Sequence, residues 1–104
     1  MEIKLRERIE LLLNWPTKGS PLKLIILDEI KSMITLTKEE REEYEIVEKI
    51  DDNGRISIQW NTKGLDYSKE FDFSSDQKST LKEFLDKMED NFPESLLDLY
   101  KKLI

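Results

Sequence analysis

The side chains of this chain that could do chemistry are mostly carboxylates. The 104 residues include 23 Asp and Glu and 17 Lys and Arg, with neither Cys nor His, so the formal net charge is −6. Without imidazole or thiol groups the chain can build no His-dependent triad, no Cys nucleophile and no Cys or His metal site. Paired carboxylates could still act as acid and base, but no glycine-rich phosphate loop or nucleophile elbow accompanies them. We therefore expect a protein that is not an enzyme, with no catalytic residues, no cofactor and no metal.

The carboxylates concentrate in two segments. Residues 36–54 hold eight acidic side chains against three basic ones, and residues 66–98 hold ten against four. If the folded chain joined these segments, one acidic face could attract a basic protein through charge complementarity. The candidate partner-binding residues of this face are Glu39, Glu42, Glu43, Asp86, Glu89 and Asp90. The other interpretation is that these charges only keep the protein soluble.

Three helices are predicted to position the first acidic segment. Apolar residues recur at helical spacing before Trp15-Pro16, namely Leu5, Ile9, Leu12 and Leu13. Ser20-Pro21 supplies an N-cap and a first-turn proline for a second helix, which we expect to end near Thr35. The sequence T-K-E-E from Thr37 has the form of a capping box, with Glu40 reaching back to the cap of a short third helix.

The pattern changes to a period of two from Tyr44, which predicts strands. The turn 51–54 (D-D-N-G) favours a hairpin, and it lacks the alternating ligands of a calcium loop. A three-residue loop with Gly54 in the left-handed conformation would place Ile50 opposite Ile56. Alternating aromatic residues over 67–73 predict a third strand that completes an antiparallel meander.

Two helices are predicted to close the chain. Ser74 and Gln77 form a capping box for the first, and Pro93 separates it from the last. The order is three N-terminal helices, a three-stranded antiparallel meander and two C-terminal helices. Helices segregated from an antiparallel sheet favour one small α+β domain over residues 1–104.

Membrane insertion is not expected. No apolar run approaches the ~18 residues of a membrane span, and the first residues lack the apolar region of a secretory signal. We expect a cytoplasmic protein with no membrane partner.

Three helices followed by a hairpin are also the element order of a winged-helix DNA-binding domain. The helix from Thr37 would then be the recognition helix, and the turn 51–54 the wing. The acidic excess of residues 36–54 opposes insertion of this helix into duplex DNA. Duplex DNA is therefore the less favoured partner.

Several short segments resemble those of small proteins encoded by phages and prophages of AT-rich bacteria. They are L-R-E-R-I-E-L-L-L (Leu5 to Leu13), W-P-T-K-G, I-S-I-Q-W-N, K-E-F-D-F and S-L-L-D-L-Y-K-K. The resemblance implies a small accessory product in the host cytoplasm that works by binding, and it carries over no catalytic residues. Our leading hypothesis is a non-enzymatic accessory module that binds a host protein. The alternatives are a winged-helix-like DNA-binding regulator and a homo-oligomeric structural or assembly protein.

Overall fold

The computed structural model describes every residue from Met1 to Ile104 and contains five α-helices and four short strands. The helices are α1 (Leu5–Leu13), α2 (Pro21–Ile34), α3 (Lys38–Glu43), α4 (Ser75–Asp86) and α5 (Leu97–Leu103). The strands are β1 (Glu2–Lys4), β2 (Val47–Ile50), β3 (Ile56–Gln59) and β4 (Ser68–Glu70). The α+β class and the predicted three N-terminal and two C-terminal helices are confirmed.

Polar caps begin three of the helices at the predicted residues. Thr37 Oγ1 accepts a hydrogen bond from the Glu40 amide (3.1 Å), and Glu40 Oε1 accepts one from the Thr37 amide (2.9 Å). Ser74 and Gln77 form the same reciprocal pair at α4, with distances of 3.2 and 2.9 Å. The Ser20 hydroxyl caps α2. Each cap satisfies amide groups that have no partner inside the helix.

The sheet pairing differs from the predicted three-stranded meander. The structure has two separate two-stranded antiparallel sheets, β1 with β4 and β2 with β3. The predicted third strand pairs with the N-terminal residues, so that Ile3 lies opposite Lys69 and the Phe71 amide donates to the Met1 carbonyl (2.8 Å). This pairing accompanies full burial of Ile3 and near-complete burial of Phe71. Burial of these two apolar side chains is the physical reason for the correction.

The β2–β3 hairpin has the predicted register. Ile50 lies opposite Ile56, and Gly54 adopts the left-handed conformation with φ of +77°. Asp51 Oδ1 accepts hydrogen bonds from two amides of the turn, at 2.9 and 2.8 Å. The apolar pair is nevertheless largely in solvent, with Ile50 72% and Ile56 55% exposed. The hairpin therefore projects from the domain instead of covering its core.

Two apolar clusters form the interior. The larger one lies between the four longest helices and the residues around β1 and β4; its members include Ile3, Leu11, Ile30, Phe71, Leu81, Leu85 and Leu99. The smaller one joins α1 to the region around α3 and the base of the hairpin; its members are Leu5, Ile9, Leu36, Tyr44 and Ile46. Helix α1 contributes to both clusters and holds the two halves together.

The buried face of α1 differs from the predicted one. Leu13 is 45% exposed and Leu12 is only half-buried, whereas Leu11 and Arg8 are fully buried. Arg8 belongs to the apolar stripe by its spacing, because positions 5, 8, 9 and 12 share one face of a helix. Because Arg8 is charged, residue type alone does not assign it to the apolar stripe.

Gly64 lies in a tight contact between α1 and the loop after β3. A Cβ at this position would come within 2.7 Å of Trp60 Cδ1 and 2.8 Å of Leu5 Cδ2. Both atoms belong to side chains of the smaller apolar cluster or its border. A side chain at position 64 would therefore push Trp60 and Leu5 apart.

We expect Gly64→Ala to lower the free energy of unfolding by about 1–3 kcal/mol, the usual cost of overpacking a well-packed interior. Gly19→Ala is the matched control, because its Cβ would meet nothing closer than 3.9 Å. Urea denaturation of the two variants and the unsubstituted protein measures both changes. Equal stabilities of the two variants would contradict the close packing at Gly64.

Candidate functional site

All six residues of the predicted acidic face are exposed, but they lie on different elements. Glu39, Glu42 and Glu43 belong to α3, whereas Asp86 is the last residue of α4 and Glu89 and Asp90 lie in the 3₁₀ turn 89–91. The structure brings Asp86 and Glu89 together in one surface pocket. The three residues of α3 do not line this pocket.

The pocket that contains Asp86 and Glu89 has a volume of about 260 Å³ and otherwise apolar or aromatic walls. These walls are formed by Leu85, Phe92, Leu97 and Tyr100. The Phe92 and Tyr100 rings meet edge to face with their centroids 5.5 Å apart, a favourable geometry that fixes both rings. We call the site formed by Leu85, Asp86, Glu89, Phe92, Leu97 and Tyr100 the acidic pocket.

Asp86 is held in place by two donors. Lys82 Nζ donates to Asp86 Oδ2 at 2.8 Å, and the Tyr100 hydroxyl donates to Oδ1. Both hydrogen bonds lower the pKa of Asp86, and the bond from Lys82 has the larger effect. The Lys82 ammonium also lies 5.7 Å from the centroid of the Tyr100 ring, within the range of a cation–π contact. One cation thus already occupies the space between a carboxylate and an aromatic face.

Glu89 has a backbone conformation that is unusual for its residue type. Its φ of +45° lies in the left-handed region, where the chain leaves α4 and enters the 3₁₀ turn. For a residue with a Cβ this conformation costs roughly 1–2 kcal/mol relative to the right-handed one. Glycine or asparagine would occupy the position at lower cost.

The most buried ion pair of the molecule lies elsewhere, at the fully buried Arg8 side chain. Its guanidinium forms a bidentate ion pair with Glu40, in which Nη1 donates to Oε2 at 2.6 Å and Nη2 donates to Oε1 at 2.9 Å. It also donates to the backbone carbonyls of Ile34 (3.0 Å) and Thr35 (3.1 Å) at the end of α2. The cation therefore lies at the negative end of that helix, where positive charge is favoured.

Glu40 accepts hydrogen bonds from three directions, since the Tyr67 hydroxyl donates to Oε2 (2.8 Å) in addition to Arg8 and the Thr37 amide. Burial alone would raise the pKa of Glu40, but the hydrogen bonds from Arg8, Thr37 and Tyr67 and the charge of Arg8 together lower it to about 2. Burial and the hydrogen bond to Glu40 also raise the pKa of Tyr67. The Arg8–Glu40 pair is charged at neutral pH and each of its partners is hydrogen-bonded, so we assign it to folding and not to recognition.

Glu7 is a second buried carboxylate on α1. Its Oε1 accepts a hydrogen bond from the Lys4 amide at 2.8 Å, as in a capping box, while Oε2 is buried without a hydrogen-bond partner. Sequence spacing gives no sign of this burial, because Glu7 lies outside the predicted apolar stripe.

The aromatic walls of the acidic pocket also escaped sequence analysis, although tyrosine and phenylalanine near Pro93 are a usable signal for an interface.

No group of three or more acidic, Cys or His side chains is close enough to hold a metal ion. None of the helices combines the length and the apolar character that crossing a bilayer requires.

The chain was also compared with known proteins. No protein family model, no curated protein and no solved structure matches it. The function must therefore be inferred from the site itself.

We expect Arg8→Met and Glu40→Gln each to lower the free energy of unfolding by about 3–5 kcal/mol, because either change leaves a buried polar partner unsatisfied. Lys82→Ala, which removes an exposed ion pair of α4, should cost less than about 1 kcal/mol. The double variant Arg8→Met/Glu40→Leu should lose less than the sum of its two single changes. Urea denaturation would refute the assignment if Arg8→Met and Lys82→Ala proved equally mild.

Acid should remove the contribution that Glu40 makes to the free energy of unfolding. Because its pKa is lowered from 4.5 in the unfolded chain to about 2 in the folded one, only the unfolded chain takes up a proton between these values. The stabilisation is therefore complete above pH 4.5 and falls as the pH drops towards 2. Unfolding free energies measured from pH 6 to pH 2 should fall more steeply for the unsubstituted protein than for Glu40→Gln. Parallel profiles would contradict the lowered pKa.

Proposed function

We propose that the protein is a non-enzymatic binding module, a phage or prophage accessory factor of the host cytoplasm, that engages a basic host protein. The observation that supports this function is the acidic pocket, where Asp86 and Glu89 lie beside the rings of Phe92 and Tyr100. A Lys or Arg side chain suits such a pocket, since its charge pairs with carboxylate while its stem packs on aromatic surface. The pocket would take one basic side chain of the partner as an anchor.

Lys82 indicates how such a side chain would bind. Its ammonium is placed against Asp86 and over the Tyr100 ring from within the same chain. Glu89, on the same pocket, has no ion-pair partner within 4.0 Å. We therefore propose that the partner's basic group pairs with Glu89 and shares the aromatic wall with Lys82.

The backbone of Glu89 adds support from a different direction. A left-handed glutamate persists at a turn that glycine would make at lower cost. Strain of this kind is often retained where a side chain is needed for binding. In our proposal the Glu89 carboxylate is that side chain.

The three carboxylates of α3 would contribute at longer range. Glu39, Glu42 and Glu43 are exposed on a helix that begins with a complete capping box. Surface charges of this kind accelerate encounter with an oppositely charged partner more than they hold the complex together. Their removal should therefore slow association and leave the anchor in place.

Self-association is a second candidate function, and the β2–β3 hairpin favours it. Each strand of this sheet has only one neighbour, so that both outer edges are unpaired. Val47, Ile50 and Ile56 are all more than half exposed on the hairpin. Unpaired edges with exposed apolar side chains can add strands from another copy.

DNA binding receives less support. The observed order α1–α2–α3–β2–β3 matches that of a winged helix, but α3 has only six residues, K-E-E-R-E-E. Three exposed glutamates face solvent from this helix. A duplex would meet repulsion at the surface where a recognition helix must approach.

The proposal is tested by affinity capture from nuclease-treated bacterial lysate at low and moderate salt, with mass spectrometry of what is bound. We expect one basic protein in near-stoichiometric amount. The pocket variant Asp86→Asn/Glu89→Gln should recover about tenfold less of it, because a lost charge-assisted contact weakens binding by that order. The matched control is Glu94→Gln/Asp98→Asn, which removes the same charge from exposed positions outside the pocket.

Three outcomes would contradict the proposal. They are capture of no protein, equal recovery by the pocket variant and the unsubstituted protein, and equal loss with the control variant. A bait mass well above 12.4 kDa in sedimentation, together with an empty capture, would favour self-association through the hairpin. A salt-sensitive shift of duplex DNA would favour the winged-helix alternative.

A further inference from the structure

A cleft between the N-terminus of α2 and the C-terminal half of α4 has the features of a second binding site. Its volume is about 440 Å³, within the usual range for small-molecule pockets. Leu27 and Phe84, both buried, form its floor together with the half-buried Met88. The Phe84 ring is fixed by an edge contact with Trp15, with centroids 5.3 Å apart. An apolar body would therefore meet a preformed apolar surface.

The rim of this cleft is basic in a chain whose net charge is −6. Three lysines, Lys18, Lys23 and Lys87, line it together with one carboxylate, Glu83. Lys23 pairs directly with Glu83, and the Lys87 ammonium lies 3.5 Å from its other oxygen. These lysines hold the pKa of Glu83 below its ordinary value.

Two of the three ammonium groups keep capacity for another anion. Lys18 has no ion-pair partner, and the Lys87 side chain is 71% exposed and lies 3.5 Å from a carboxylate that Lys23 already holds. The mouth also includes Gly19 and Ser20, at the positive end of the 14-residue helix α2. The amide of Lys23 at that end is already satisfied by the Ser20 hydroxyl.

We propose that this lysine-rimmed cleft binds a small carboxylic acid with an apolar body, such as a medium-chain or aryl acid. The body lies on Leu27, Phe84 and Met88, and the carboxylate lies at the rim between Lys18 and Lys87. Both parts are required, because ammonium groups alone bind small anions weakly in water and the apolar floor alone does not select for charge. The site is separate from the acidic pocket and does not depend on the function proposed above.

Calorimetric titration with three compounds tests the two requirements. Decanoate has body and charge, 1-decanol has the body alone, and acetate has the charge alone. We expect one saturable decanoate site per chain, with binding of 1-decanol and of acetate weaker by about tenfold or more, which corresponds to a charge-assisted hydrogen bond or its apolar equivalent. Equal affinity for decanoate and 1-decanol would overturn the proposal.

Variants of exposed lysines locate the site. Lys18→Gln/Lys87→Gln should weaken decanoate binding by more than about tenfold, since two charge-assisted contacts are lost and each is worth about tenfold. Lys38→Gln/Lys63→Gln, at exposed positions outside the cleft, is the matched control and should bind as the unsubstituted protein does. Amide resonances of the non-proline residues within 16–27 and of residues 80–88 should shift on titration. No saturable binding, unchanged affinity of the cleft variant, or shifts confined to the β2–β3 hairpin would overturn the proposal.

Discussion

The fold depends on the burial of one guanidinium group. Arg8 is fully enclosed, and its ordinary hydration must be replaced by partners on every side. Two oxygens of Glu40 and two carbonyls at the end of α2 supply them, and the Phe71 ring lies 5.3 Å from the guanidinium carbon. A guanidinium has a fixed, planar set of donors, so the positions of α1, α2 and α3 cannot vary independently. Replacing either member of the ion pair would leave the other charged and unpaired in the interior.

This constraint also explains which parts of the molecule are free for other roles. Helix α1 serves both apolar clusters, and Arg8 and Glu40 connect the region of α3 to it. The β2–β3 hairpin is attached at its base, where Ile46 and Tyr44 belong to the smaller cluster and Ile58 and Trp60 pack against it, while Ile50 and Ile56 near the turn are largely exposed. Neither Arg8 nor Glu40 lines the acidic pocket or the lysine-rimmed cleft. The charged residues of the two proposed sites are therefore not those of the buried ion pair, so substitutions of these charges can test binding without removing that pair.

Sequence patterns predicted those features that are decided within a few residues. The caps at Ser20, Thr37 and Ser74 and the left-handed Gly54 are local, and each follows from the chemistry of one turn. The pairing of β4 with β1 spans more than sixty residues, and no local period could reveal it. Arg8 was concealed by its residue type, since a charged side chain on an apolar stripe is normally taken for a break in that stripe. At the candidate site, the exposed carboxylates were visible in the sequence, but the aromatic walls that enclose Asp86 and Glu89 arise only when α5 packs beside α4.

Helix α4 contributes charged residues to both proposed sites. Along α4 and the turn that follows it, Thr80, Glu83, Phe84 and Lys87 share one side at helical spacing and line the basic cleft. Leu85, Asp86 and Glu89 lie on the adjacent side and line the acidic pocket. The core residues Leu81, Phe84 and Leu85 lie on the buried part of this helix, which packs against α2 and α5. Opposite charges so close together in sequence would cancel in an extended chain. In the helix they pair only in part: Lys82 pairs with Asp86 and Lys87 with Glu83, whereas Lys18 at the cleft and Glu89 at the acidic pocket have no ion-pair partner, so the two proposed sites keep excess charge of opposite sign.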